Sequence, residues 1–309
     1  MRRRSDLPLY AALRAVSSAV RVMPRGAALA AGGALGRAAS SLGLRRAVVD
    51  GNLARAFPEL DAGARAHLAR DVYTHFGRAT ADSLRVSARG PATLLPLVDG
   101  GDVLRLIDER LPRGRGVVLL TGHVGNWELA GAYLAAHGYP LAAVVKPPAN
   151  PYVAAHAERA RVRLGIETIL MHEAMARVPE VLRAGKLVAL VADQGAIRSD
   201  VWAPFFGVPT QVPVGPGLFA ARSGAPVLFG ALLAVAGGRY RLLGEVLDDQ
   251  PGDDAKLLTQ RIAERFLVRL EAVVRGAPAQ YLWTHRLWKR QPARPPLPAT
   301  PAGGAPGGR

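Results

Sequence analysis

The spacing of hydrophobic residues changes character along this chain. Near the start, Leu9, Leu13, Val16, Val20 and Met23 recur at i, i+4, i+7, i+11 and i+14, one face of a helix. Helical patterning runs to about residue 88, broken at Pro58 within Asn52-Leu53-Ala54-Arg55-Ala56-Phe57-Pro58-Glu59 and resumed from Ala64 to Val86. Beyond that point the period alternates. Apolar, β-branched runs at 116–121, 141–146, 187–192, 226–235 and 239–244 read as strands. Between them, 127–137, 151–163, 172–184 and 254–275 read as helices. Such alternation predicts an α/β layered domain over 89–290, behind an N-terminal helical region of residues 1–88. Residues 291–309 hold Pro, Gly and Ala with little else and are expected to form a disordered tail.

A chain of 309 residues suffices for one large or two small domains. Its formal net charge of +16 comes almost wholly from arginine, the lysines being Lys146, Lys186, Lys256 and Lys289. An Ala-, Arg-, Gly- and Pro-rich composition matches a high-GC coding bias, so the charge establishes only compatibility with anionic partners. Lipid headgroups, a phosphorylated glycolipid, an acidic carrier protein and nucleic acid all qualify. The absence of cysteine excludes disulfides, thiolate metal sites and a cysteine nucleophile. Met1-Arg2-Arg3-Arg4 is basic, but Arg14 and Arg21 interrupt the apolar run behind it, which suits neither a signal peptide nor a spanning helix. The amphipathic stripe from Leu9 to Met23 either lies in a membrane surface or packs on the domain. Gly26 to Gly36 is too short to cross a bilayer. Val201 to Ala221 is uncharged but carries Pro204, Pro209, Pro213 and Pro216, and reads as a loop.

Candidate chemistry concentrates in Gly122-His123-Val124-Gly125-Asn126-Trp127-Glu128-Leu129, directly after the apolar run 116–121. His123 falls on the turn, Asn126 at the helix N-cap and Glu128 in the first helical turn, where the helix dipole favours an ionised carboxylate. An ionised carboxylate beside an imidazole fixes its tautomer and stabilises the imidazolium, as a general base requires. Glu128 is therefore the expected partner of His123. The bland reading is a strand-end histidine with a capping glutamate. No G-x-S-x-G elbow, H-E-x-x-H, P-loop or G-x-G-x-x-G is present, and nothing in the sequence requires a metal.

The stretch resembles the His-x4-Asp/Glu block of glycerolipid-type acyltransferases. The string Thr121-Gly122-His123-Val124-Gly125-Asn126-Trp127-Glu128 is similar to the late (lauroyl/myristoyl) acyltransferases of lipid A biosynthesis, whose pattern is shared by relatives that acylate mannosylated phosphatidylinositol. The resemblance extends in ordered blocks over most of 45–290. It implies a mixed central sheet flanked by helices, and a histidine that deprotonates an acceptor hydroxyl for direct attack on an acyl thioester, without an acyl-enzyme. It further implies acyl carrier protein or CoA as co-substrate with no other cofactor, an anionic glycolipid acceptor, no nucleic acid partner, and residence at the cytoplasmic face of the inner membrane, peripheral or monotopic. Thr121-Gly122-His123 and Glu128 lean towards the lipid A branch, with phosphatidylinositol mannoside as the alternative acceptor.

Further blocks carry the same likeness. Asp193 and Gln194 stand on the loop after the strand 187–191 and either shape a substrate loop or form a plain Asx-type turn. The Asp-Gln-Gly-Ala reading departs from relatives that carry a further Asp. Phe205 and Phe206, in a proline-stiffened loop, either line an acyl groove or pack in the core. Lys146 falls at a strand end, where α/β sheets place function. Arg163, two residues before Gly165, is favoured over Arg161 as the cation that meets an acceptor phosphate or the oxyanion. Gln280-Tyr281-Leu282-Trp283-Thr284-His285-Arg286 reads as mainly structural. Two rival classes remain: a nonenzymatic basic protein that binds membranes or nucleic acid, and a lipid hydrolase built on the same histidine.

Overall fold

The computed structural model describes residues 6–194, 199–249 and 254–290. The expected tail at 291–309, the basic Met1 to Arg4, and Gly195 and Ala196 lie outside the described residues. Four helices come first: α1 (Asp6–Val22), α2 (Arg25–Ser41), α3 (Arg46–Ala56) and α4 (Ala62–Arg89). There follow β1 (Val98–Asp99), α5 (Val103–Asp108), β2 (Val117–Thr121), α6 (Trp127–Ala136), β3 (Leu141–Val145), α7 (Pro151–Arg163) and β4 (Ile166–Leu170). The chain continues through α8 (Ala174–Arg183), β5 (Leu187–Val191), β6 (Trp202–Phe205), β7 (Val208–Gln211), α9 (Gly215–Ser223), β8 (Val227–Val235), β9 (Arg239–Asp248) and α10 (Ala255–Gly276).

Seven strands form one sheet in the order β1-β9-β8-β2-β5-β3-β4. All neighbours are parallel except β8 and β9, which pair antiparallel, so the sheet is mixed. Parallel strands covered on both faces need apolar residues at every position, and β2 supplies them in Val117-Val118-Leu119-Leu120. The pleat sends Val118 and Leu120 into one cluster with Leu53, Val72, Phe229, Phe266 and Trp283. Val117 and Leu119 go into the other, with Val86, Leu129, Tyr133 and Leu232. Helices α3 and α4 therefore bury side chains in the same clusters as the strands.

The Ala/Gly-rich stretch after Met23 is helix α2, and it packs against α4 at backbone contact. A Cβ on Gly36 would stand 2.0 Å from the Tyr73 carbonyl oxygen, and one on Gly77 2.1 Å from that of Gly32. Helix α1 packs on α4 and α7. Of its apolar stripe, Val20 is buried, Leu13 and Met23 half-buried and Val16 exposed.

The structure corrects one expectation and adds elements that the apolar pattern does not announce. Residues 201–221 are not one loop. The hairpin β6–β7 sets Pro204 opposite Pro209 in a two-stranded ribbon, where neither has to donate to a further strand, and Pro216 falls in the first turn of α9. Strand β4, Ile-Glu-Thr-Ile-Leu, went unread because its polar middle gives it no apolar run. The short β1 and α5 likewise carry too few residues to show a period.

Candidate active site

The site begins at the carboxyl ends of two neighbouring strands. β2 and β5 run parallel with Thr121 opposite Val191. Two residues beyond each strand end stand His123 and Asp193, so the register brings together groups 70 residues apart. The Asp193 carboxylate accepts twice from one residue: Oδ1 lies 2.6 Å from His123 Nδ1, and Oδ2 2.9 Å from the His123 backbone nitrogen. The Asp193 side chain is 1% exposed and that of His123 21%.

Burial works against the charged form of Asp193, but the His123 ring, the His123 N–H and the Tyr281 hydroxyl outweigh it and hold the carboxyl below its ordinary value. An ionised carboxylate only accepts, so Nδ1 carries the proton and Nε2 keeps its lone pair. Among the described residues Nε2 has no partner. The Trp127 ring meets the imidazole edge-on at 4.8 Å and limits its rotation.

The turn itself is held from three sides. Gly125 has φ of +63°, and a Cβ there would fall 2.0 Å from the Leu232 carbonyl oxygen, so no other residue fits. Its nitrogen donates to the Gln280 carbonyl at 2.8 Å, and Leu282 donates to the His123 carbonyl at 3.0 Å around a bridge between Val124 and Tyr281. From α4, His75 Nε2 reaches the Gly125 carbonyl at 3.2 Å, and burial first of all holds His75 below the ordinary histidine value. The amide of Asn126 is fully engaged. Its oxygen accepts from the Leu129 nitrogen and from Ser83, and its nitrogen donates to the Ala79 carbonyl.

The structure therefore rearranges the predicted constellation. The carboxylate that steadies His123 is Asp193. Glu128 points elsewhere, 43% exposed, and accepts from Arg161 at 3.0 Å. Asn126 is a cap buried against α4, its amide oxygen and nitrogen both hydrogen-bonded within the protein. Arg163 donates to the Ser87 carbonyl, and the arginine that reaches towards the turn is Arg161, 15% exposed. Phe205 and Phe206 are core. They pack with each other and with Phe57, Tyr281 and Trp283 at ring separations of 4.8 to 5.7 Å. Phe206 holds a φ of +53°, secured by its N–H to Glu271, and Arg275 lies 4.6 Å above its ring. Lys146 is exposed beyond β3, with β5 between its strand and that of His123. Gln194 is half-buried next to Asp193.

Tyr281, read from sequence as structural, and His285 both act on Asp193. Tyr281 is fully buried, its hydroxyl makes no well-aligned hydrogen bond among the described residues, and it lies within reach of Asp193. Burial, then the Asp193 charge, pushes the phenol well above its ordinary value. His285, half-buried, is held below the histidine norm, chiefly by burial, and feels both Asp193 and His123. Asn52 donates to the carbonyls of Trp283 and His285 and ties this segment to α3.

Residues 3–290 match the family described as bacterial lipid A biosynthesis acyltransferase. The chain belongs to that family. It is an acyltransferase, and the class of chemistry expected from the His-x4-Glu block stands. Two curated proteins resemble the chain. The phosphatidylinositol mannoside acyltransferase of Mycolicibacterium smegmatis is 28% identical over 259 residues, covering 81% of this chain and 83% of that protein. A protein of the same name from Mycobacterium tuberculosis strain H37Rv is 32% identical over 192 residues, 60% of each chain.

Proposed function

We propose that this acyltransferase moves a fatty acyl group from a carrier-protein or CoA thioester to a hydroxyl of a phosphorylated glycolipid, with His123 as general base. The observation that carries the reading is an imidazole with Nδ1 on a buried carboxylate at 2.6 Å and Nε2 open. Nε2 takes the acceptor's hydroxyl proton as that oxygen bonds to the thioester carbonyl carbon. The tetrahedral intermediate then collapses, the carbon–sulfur bond breaks, and the imidazolium returns the proton to the leaving thiolate. Base catalysis of this kind contributes about two to four powers of ten. Asp193 fixes the tautomer and balances the imidazolium, Arg161 and Glu128 brace the start of α6, and Gln194 shapes the loop beside them.

The relatives' names favour a phosphatidylinositol mannoside as acceptor over a lipid A precursor. The lean towards lipid A rested partly on Glu128, whose carboxylate is engaged by Arg161 and distinguishes neither acceptor. Peripheral membrane contact at the cytoplasmic face belongs to the same proposal. No helix among the described residues is long and apolar enough to cross a bilayer. Helices α1 and α2 leave Leu7, Val22 and Leu35 exposed, as they do Arg21 and Arg37, and Leu42 just past α2 is exposed too, which suits an interfacial face.

The test is purified protein with acyl-CoA or acyl carrier protein, offered phosphatidylinositol mannoside and a lipid A precursor in parallel, read by mass spectrometry. The expected product is phosphatidylinositol mannoside heavier by one acyl group, lost in His123→Ala. Free fatty acid released at the same rate with and without acceptor would make the protein a hydrolase instead.

A further inference from the structure

The seam between α1 and α7 gathers positive charge that the chemistry at His123 does not use. Helix α7 presents Tyr152, His156, Arg159 and Arg163 at i, i+4, i+7 and i+11, a single stripe. Tyr10 and Arg14 of α1, four apart, meet it. The rings of Tyr10 and Tyr152 stack at 5.5 Å, and His156 stands edge-on to Tyr10 at 6.4 Å. Arg159 donates to the Tyr10 hydroxyl at 3.4 Å, and the Arg14 charge acts on the same group. Arg163 donates to the Ser87 carbonyl of α4 at 3.2 Å. Burial, then Arg159, Arg163 and Arg14, lowers His156 from the histidine norm, so three guanidiniums act on one ring. Among the described residues none of the three forms an ion pair with a carboxylate, although the next arginine on the helix, Arg161, does. One turn beyond Arg14, the Ser17 hydroxyl is buried without a hydrogen-bond partner.

Gathering cations without anions costs repulsion, and a phosphate removes that cost by accepting several charge-assisted hydrogen bonds at once. The guanidinium fork suits phosphate oxygens, and the stacked tyrosines supply a flat wall for a sugar or inositol ring. The same helix reaches the base from its other face. Arg161 joins α7 to Glu128, whose neighbour Trp127 touches the His123 ring.

We infer that Tyr10, Arg14, Arg159 and Arg163 form a phosphate-binding subsite for the headgroup of the acceptor lipid, which sets the acceptor hydroxyl presented to His123. This subsite rests on the acyl-transfer reading above for its role, but its ligand can be tested without turnover.

Calorimetry with glycerophosphoinositol, a soluble headgroup phosphodiester, is expected to give binding to the wild-type protein that weakens about ten- to a hundredfold in the Arg14→Gln/Arg159→Gln/Arg163→Gln variant, as loss of charge-assisted hydrogen bonds predicts. Thermal melting checks that the variant is folded, and Arg159→Gln alone, at an exposed position, is expected to show a smaller loss in the same direction. In turnover, the preference in kcat/KM for phosphatidylinositol mannoside over a phosphate-free alkyl mannoside should collapse in the triple variant through KM. Equal binding of glycerophosphoinositol by wild-type and folded variant would overturn the subsite. So would inorganic phosphate binding as tightly as the phosphodiester, since the seam would then hold a free anion. A rise in the KM of the thioester donor alone would assign the seam to the donor and overturn the acceptor assignment. Absence of acyl transfer with headgroup binding intact would refute the activity and leave the subsite standing.

Discussion

Two carboxylates stand near His123, one on the turn after β5 and one in the first turn of α6, and their surroundings differ in kind. Glu128 is 43% exposed and shares its charge with Arg161, at 3.0 Å. Asp193 is 1% exposed and gives both oxygens to His123. A half-exposed ion pair is screened and contributes about 0–1 kcal/mol. A hydrogen bond to a buried charge contributes about 1.5–3 kcal/mol, and removing one partner costs more because the other is left unsatisfied. Nearness in sequence favours Glu128. Strand register and burial favour Asp193, and they decide which acid tunes the imidazole.

The largest expected effect comes from reversing that choice. Asp193→Asn replaces an obligate acceptor with an amide that fixes neither tautomer nor charge, and kcat should fall about a thousandfold, roughly 4 kcal/mol, in steady-state acyl transfer. In the double variant with His123→Ala the losses should not add. The folded-state shift of Asp193 is downward, so its contribution to stability is present above the ordinary carboxylate range and is lost as pH falls through its lowered value. The stability gap between wild type and Asp193→Asn should therefore narrow on acidification, as denaturant titrations at several pH values will measure.

Next in size is Phe206→Ala, which removes a ring packed among Phe57, Phe205 and Trp283 and should cost about 3–5 kcal/mol in denaturant unfolding. A groove-lining role would instead change acyl-chain preference at constant stability. Tyr281→Phe should cost about 1–2 kcal/mol in kcat/KM. The smallest effect is expected from Glu128→Gln, about 1 kcal/mol in stability or less, with a loss in kcat at least tenfold smaller than that of Asp193→Asn. Equal losses in the two variants would erase the contrast.

The layered α/β fold was legible because apolar strands and amphipathic helices keep different periods, and the long ones announce themselves. So was the turn at His123, where Gly122, Gly125 and Asn126 are residues that a sharp strand-to-helix turn demands. The partner of the base was not. Asp193 is 70 positions away, and only the pairing of Thr121 with Val191 makes them neighbours. Phe205 and Phe206 misled for a related reason: an aromatic pair in a proline-rich stretch looks the same whether it faces lipid or the underside of Tyr281. The choice between Arg161 and Arg163 turned on helical phase, since residues two apart face nearly opposite ways.

The bridge between Val124 and Tyr281 makes the turn at His123 depend on a stretch that the ribosome delivers long after the turn itself. Strands β2 and β5 exist much earlier in the emerging polypeptide, but the backbone brace around Gly125 waits for residues 280–282. A nascent chain halted short of that point would carry the histidine and its acid partner while lacking the clamp that aims them. The braced turn therefore arrives late, after helices α1 to α4 have already left the exit tunnel.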